Sequence, residues 1–197
     1  MEVSQWLAKY YETRIIDVHT LKWTPDNCQI IWEICQKNKN DDAMRTLRGF
    51  MFLKGYRVGR NITEAIKIFT EGKSSEDMFW LGYIYSDEKS GKLCDIQKSV
   101  EYYENAITLG NVNSMVNLAL LCEEEQCIAY NLSRAVELYK MAIEKNDAEA
   151  MNNLAVMYEE GRGDEQNIKT ACELYLQASL LGYKIAKKNL IRILENL

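Results

Sequence analysis

Apolar and polar residues alternate along this chain with helical spacing, and the alternation itself recurs. Met-x-x-Leu appears at Met44/Leu47, Met78/Leu81, Met115/Leu118 and Met151/Leu154. Between these lies a second motif, an Asn or Asp followed by a small residue four positions on and an aromatic four further. It reads Asn61/Ala65/Phe69, Asp95/Ser99/Tyr103, Asn131/Ala135/Tyr139 and Asn167/Ala171/Tyr175. Its first residues lie 34, 36 and 36 positions apart, and the leucines 34, 37 and 36. Apolar residues at i, i+3 and i+7 share one face of an α-helix, so each period predicts two helices. Helix A carries Met-x-x-Leu, then a small residue (Gly82, Ala119, Ala155; Arg48 in the first unit), then Met51, Tyr85, Cys122 or Tyr158 one turn on. Helix B begins at the Asn or Asp, whose side-chain oxygen suits an orphan backbone N–H. Glu64, three residues after Asn61, gives the first unit a capping box. Glycines mark the A–B loops at Gly55, Gly91 and Gly161-Arg162-Gly163, and the ends of two B helices at Gly110 and Gly182. A fixed period of this size predicts a stacked array in which each unit buries its apolar face against its neighbours.

The period divides the chain. Residues 1–40 hold N-terminal capping helices that form a degenerate repeat, with Trp6 to Arg14 as one helix and a second starting at Thr24-Pro25-Asp26 and running to about Lys37. Asn27, Ile31 and Cys35 occupy the cap, small and aromatic positions of that second helix. Repeats follow at 41–74, 75–111, 112–147 and 148–183. A lone fifth A helix, 184–197, closes the chain, because Ala186 and Leu190 lie 36 residues beyond Ala150 and Leu154. Its Lys184, Lys187, Lys188 and Arg192 suit a terminal cap with one face in water.

The combination A-x-x-x-L-G-x-x-Y, a G-x-G loop, then D/N-x-x-x-A-x-x-[LWY]-Y-x-x-A resembles the Sel-1-like repeat. The fourth unit carries it most fully, at Ala150, Leu154, Ala155, Tyr158, Gly161, Gly163, Asn167, Ala171, Tyr175, Ala178 and Gly182. The resemblance implies an all-α, right-handed α/α superhelical solenoid related to tetratricopeptide arrays, with A helices lining a concave face and B helices the outer one. It also implies an adaptor or scaffold, such as those found in quality control, in signalling and among pathogen factors that meet host proteins. A secreted branch of the family carries paired cysteines in every repeat. Met44, Met78, Met115 and Met151 stand in those slots here, which implies a reducing compartment. The Cys122–Cys127 loop of the third unit departs from G-x-G.

Composition narrows the chemistry. The 197 residues are 47% hydrophobic and 27% charged, with a single proline, as suits long helices without linkers. A net charge of −5 sets the chain against phosphate backbones and anionic lipid, so neither nucleic acid nor membrane is an expected partner. Residues 1–10 lack the apolar core of a secretory signal, no stretch approaches the length of a membrane span, and the expected location is the cytoplasm. Cys28 and Cys35, seven apart on one helix, are separated by roughly 10 Å, too far for a disulfide. Cys122 and Cys127 could meet across a turn, and the cysteines otherwise read as structural, reduced residues. His19 is the only histidine and there is no C-x-x-C pair, so neither metal nor other cofactor is expected. With no P-loop, GxGxxG or G-x-S-x-G, and His19 without a motif partner, catalysis is not expected either.

What remains is a surface for a protein or peptide partner. With Met44 and Leu47 turned to the core, a helical wheel places Arg45, Thr46 and Gly49 on the opposite arc. The corresponding arcs are Phe79, Trp80 and Tyr83; Val116, Asn117 and Leu120; and Asn152, Asn153 and Val156. The three aromatics are either a binding patch, since Trp and Tyr dominate hot spots, or packing between repeats. Asn117, Asn153 and Asn189 recur at 36-residue intervals and either clamp a peptide backbone or bond neighbouring helices. The loop edge is charge-polarised, with Lys54, Arg57 and Arg60 in the first unit and Glu123, Glu124 and Glu125 in the third. Such a gradient would orient a bipolar partner. A monomer is expected, with a self-assembling array as the alternative.

Overall fold

A computed structural model of the chain describes residues 2–13, 18, 21–87, 93–125 and 127–195. Arg14, His19 and Gly91, which figured in the sequence reading, lie outside the described residues. All regular elements among the described residues are α-helices. They are α1 (Val3–Thr13), α2 (Pro25–Lys37), α3 (Asp42–Lys54), α4 (Ile62–Glu71), α5 (Ser75–Ser86), α6 (Ile96–Thr108), α7 (Val112–Glu123), α8 (Leu132–Ile143), α9 (Ala148–Glu160), α10 (Ile168–Leu180) and α11 (Lys184–Leu194). The chain forms two compact units, residues 1–94 with α1 to α5 and residues 95–197 with α6 to α11. Among the described residues no helix is long and apolar enough to cross a membrane.

The recurring Asn/Asp positions cap the B helices. Asn61, Asp95, Asn131 and Asn167 each accept through the side chain from the backbone N–H three residues on. Three of them also clasp the preceding A helix. The amides of Asn61, Asn131 and Asn167 donate to the carbonyls of Phe52, Cys122 and Tyr158 at 2.9, 2.8 and 2.9 Å. One residue thus starts helix B and closes the A–B turn. The small-then-aromatic pairs are the centre of the packing, with Ala65, Phe69, Ser99, Ala135, Tyr139, Ala171 and Tyr175 wholly buried and Tyr103 almost so. Removing a large side chain from such a site costs about 3–5 kcal/mol.

The A helices have caps of their own, at Asp41, Ser74, Asn111 and Asp147. Three of the B-to-A turns use a left-handed residue. Gly110, Asn146 and Gly182, 36 positions apart, hold φ of 81°, 60° and 90°. Behind them the amides of Asn111, Asp147 and Tyr183 bond the carbonyls of Ala106, Ala142 and Ala178. In the first unit α2 begins at the Thr24 cap with Pro25 in its first turn, so Asn27 is not the cap the sequence suggested: it lies inside the helix, donates to the Lys22 carbonyl at 2.7 Å, and is buried with Ile31 and Cys35. Here α2 packs on α3, α3 on α4 and α4 on α5. In the second unit α7 pairs with α8 and α9 with α10, α8 also meets α9, and α11 closes on α10. All six cysteines are free thiols, including Cys122 and Cys127.

Candidate partner-binding surfaces

The wheel treats everything opposite Met44 and Leu47 as solvent-facing, but a helix in an array also has flanks. Gly49 lies against α4, where an added Cβ would stand 2.6 Å from the Phe69 ring. Thr46 is buried, its hydroxyl donating to Asp77 Oδ1 at 2.6 Å. Arg45, 17% exposed, reaches Asp77 Oδ2 at 3.1 Å and also pairs with Asp42. Asp77 itself is fully buried, and it accepts from the amide and hydroxyl of Ser74 at 3.2 and 2.6 Å. These bonds tie the start of α5 to α3. Arg45 is therefore a tether between repeats, and Met78 beside Asp77 is only half-buried.

Phe79 and Trp80 are 5% and 4% exposed. They belong to a chain of rings in which Trp80 lies 4.9 Å from Phe50, 4.8 Å from Phe79 and 5.7 Å from Tyr83. From Phe50 the chain continues to Trp23 at 5.4 Å, and Trp23 stacks on Tyr56 at 4.5 Å with the planes 14° apart. The indole N–H of Trp23 donates to the Val18 carbonyl at 2.9 Å, which fixes the ring. Trp23, Tyr56 and Tyr83 stay half-exposed. The Lys54 ammonium lies over the group, 4.8 Å from the Tyr83 ring, 5.8 Å from Trp80 and 6.0 Å from Phe50. Such contacts hold a cation through the ring quadrupole. The α3–α4 loop carries the remaining cations. Arg57 is exposed, takes φ of 66° and donates to Gln29, and Arg60 donates to the Leu53 carbonyl at 3.3 Å. Gly55-x-Arg57 holds the same left-handed pair as Gly161-x-Gly163.

In the second unit the acidic loop edge is partly spent on internal bonds. Glu123 accepts from the Tyr139 hydroxyl and pairs with Arg162 at 2.9 Å. The same part of the fourth repeat places Glu159 with Tyr175 at 2.9 Å and with Arg192 at 2.8 Å. Arg192 and Tyr175 together hold the Glu159 carboxyl below its ordinary pKa. Burial, and then the bond to its glutamate, pushes each phenol up. Glu124 and Glu125 remain exposed. The asparagines divide in use. Asn117 donates to its own helix at Asn113. Asn189 donates to Asn152, which in turn donates to Asn153, at 3.0 and 3.1 Å. Val116 is buried, while Leu120 is 40% exposed. A groove of about 200 Å³ lies along α6 and α8, lined by Val100, Glu104, Cys122, Ile128 and Arg134 among others. Its Arg134 is already paired with Glu104 and Glu137, each at 3.1 Å. Among the described residues no group of three or more His, Cys, Asp or Glu could hold a metal.

A family model described as the Sel1 repeat matches residues 47–72, 75–111, 112–147 and 148–183. Solved structures with the same fold include c5321, a protective antigen of uropathogenic Escherichia coli strains that displays an SLR fold. It is 20% identical with a TM-score of 0.69, over 98% of this chain and 40% of that one. A Sel1 repeat protein from Oxalobacter formigenes is 19% identical with a TM-score of 0.69, over 95% of this chain and 84% of that one. This chain thus spans well under half the length of the first. No curated protein gives a significant match.

Proposed function

The chain belongs to the Sel1 repeat family, and from that membership we propose that it is a non-catalytic scaffold for a protein or peptide partner, bound on the face that its A helices line. Sel1 repeat proteins are in general protein-interaction scaffolds. The observation that carries the reading is the division of labour within each repeat. Core positions are nearly invariant from unit to unit, whereas the A-helix surface changes from Tyr83 with Lys54 to Asn117 with Leu120 to Asn153. Polar side chains that would do chemistry elsewhere are committed to holding helices together here, as Asp77, Glu123 and Glu159 are. The protein is taken as a cytoplasmic monomer. A role among host proteins draws its support from the antigen of uropathogenic Escherichia coli alone.

Co-purification with the full-length chain tests the scaffold, with Tyr83→Ala and Leu120→Asp as folded variants. Tyr83 and Leu120 both keep exposed surface. Loss of a captured partner in either variant supports binding on this face. Undiminished affinity in both refutes it.

A further inference from the structure

The scaffold reading leaves open what chemistry a partner must present, and the first unit contains one surface with a charge requirement. Lys54, Arg57 and Arg60 are all exposed within seven residues of chain. Among the described residues none of the three makes an ion pair. Three arginines of the second unit are treated differently. Arg162 pairs with Glu123 and Glu160, Arg134 with Glu104 and Glu137, and Arg192 with Glu159. In this comparison the first loop alone bonds its cations to an amide, a carbonyl and rings, with no carboxylate on any of them. The charge also sits beside a rigid apolar shelf, since Trp23 is pinned by its bond to Val18 and stacked on Tyr56. Arg57 holds a left-handed backbone that strains a side-chain-bearing residue, where the fourth repeat uses Gly163.

We infer that the shelf of Trp23, Tyr56 and Tyr83 with Lys54, Arg57 and Arg60 docks an acidic segment of a partner protein that also carries apolar or aromatic side chains. The inference rests on the scaffold reading and specifies its partner. A carboxylate is the ligand that the charges lack. Arg57 offers a planar fork that takes one bidentately, and Lys54 offers an exposed point charge held over three rings. The half-exposed faces of Trp23 and Tyr56 supply large contact area at low entropic cost. A polyanionic nucleic acid fits less well, because it needs a long cationic track and the chain as a whole carries −5.

The test is fluorescence anisotropy on the full chain with a fluorescein-labelled peptide of twelve residues, Asp/Glu pairs alternating with Phe and Leu. Two comparison probes are its Asn/Gln counterpart and a twelve-nucleotide single-stranded RNA. The acidic peptide is expected to bind at least about tenfold tighter than the Asn/Gln form at low salt, and to weaken as salt rises. Lys54→Gln combined with Arg57→Gln is expected to remove about tenfold in affinity with an unchanged melting temperature. Lys67→Gln with Lys73→Gln, exposed cations of α4 and the residues just after it, serves as a neutralisation control that leaves affinity unchanged. No binding of the acidic peptide, equal binding of the Asn/Gln form, indifference to the Lys54/Arg57 pair, or tighter binding of the RNA would each overturn the inference. If the pair is neutral while a co-purified partner is retained, this surface is wrong and the scaffold stands. If the wild-type chain captures no partner at all, the scaffold reading itself has failed.

Discussion

Asn146 stands where its two counterparts are Gly110 and Gly182, and all three hold positive φ. Asparagine tolerates this conformation better than other side chains do. Nothing crowds the site at Gly182, so Gly182→Ala is expected to cost about 1 kcal/mol through backbone strain. Gly182→Asn is expected to cost less than half of that, and chemical denaturation of the two variants reads the difference. The B-helix caps were visible in the sequence because cap, small residue and aromatic lie within one helix. Asn146 and the A-helix caps Asp147 and Asn111 were not, because a lone polar residue between helices has no local signature. Thiol chemistry at residue scale is also predictable. Cys28, Cys35 and Cys122 are buried, and burial pushes the Cys35 thiol up to about 12. A thiol reagent at neutral pH is expected to modify Cys94, Cys127 and Cys172 first and the other three only on unfolding, which timed mass spectrometry follows.

Between elements, partners lie too far apart in sequence for a periodicity to reveal them. A wheel centred on Leu47 and Leu81 could not place Thr46 on Asp77, 31 residues away, nor show that Phe50 lies under Trp80. It assigned Phe79 and Trp80 to an open arc because it sees one helix at a time. The buried Asp77 network ties α3 to α5. Breaking a buried pair by removing one partner costs about 3 kcal/mol or more, and Asp77→Ala is expected to fall in that range by denaturant unfolding. The Glu159 tie has a pH signature. Its carboxyl is held below the ordinary value of 4.5 by Arg192 first and by Tyr175. The stabilisation is therefore complete above the unfolded pKa and is lost as pH falls through the folded one. With Arg192 53% exposed, solvent screening limits it to about 1 kcal/mol or less. Glu159→Gln is expected to melt lower than wild type at pH 7 and to converge with it near pH 2.

For the whole molecule, stability is a sum over neighbours rather than the property of one core. Tyr139→Phe, which removes the hydroxyl from Glu123, is expected to lower hydrogen-exchange protection in α7, α8 and α9. It should leave the amides of α2, α3 and α4 as they were. The period that made the fold legible was silent on the surface, because it records only the positions that every repeat must share. Unpaired Lys54 and paired Arg162 look alike in a sequence; only their distance to a carboxylate separates them. The tyrosine–glutamate pairing has a further consequence. Tyr139 reaches back 16 residues to Glu123, and Tyr175 the same 16 to Glu159. Excising residues 124–159 would join Glu123 to Glu160, so that Glu123 inherits Tyr175 at the same separation. Chain length in this protein is therefore a quantised variable. Deletion of that one 36-residue stretch is expected to leave a shorter helical fold that still unfolds cooperatively by circular dichroism, whereas a cut that changes the 16-residue separation removes the bond.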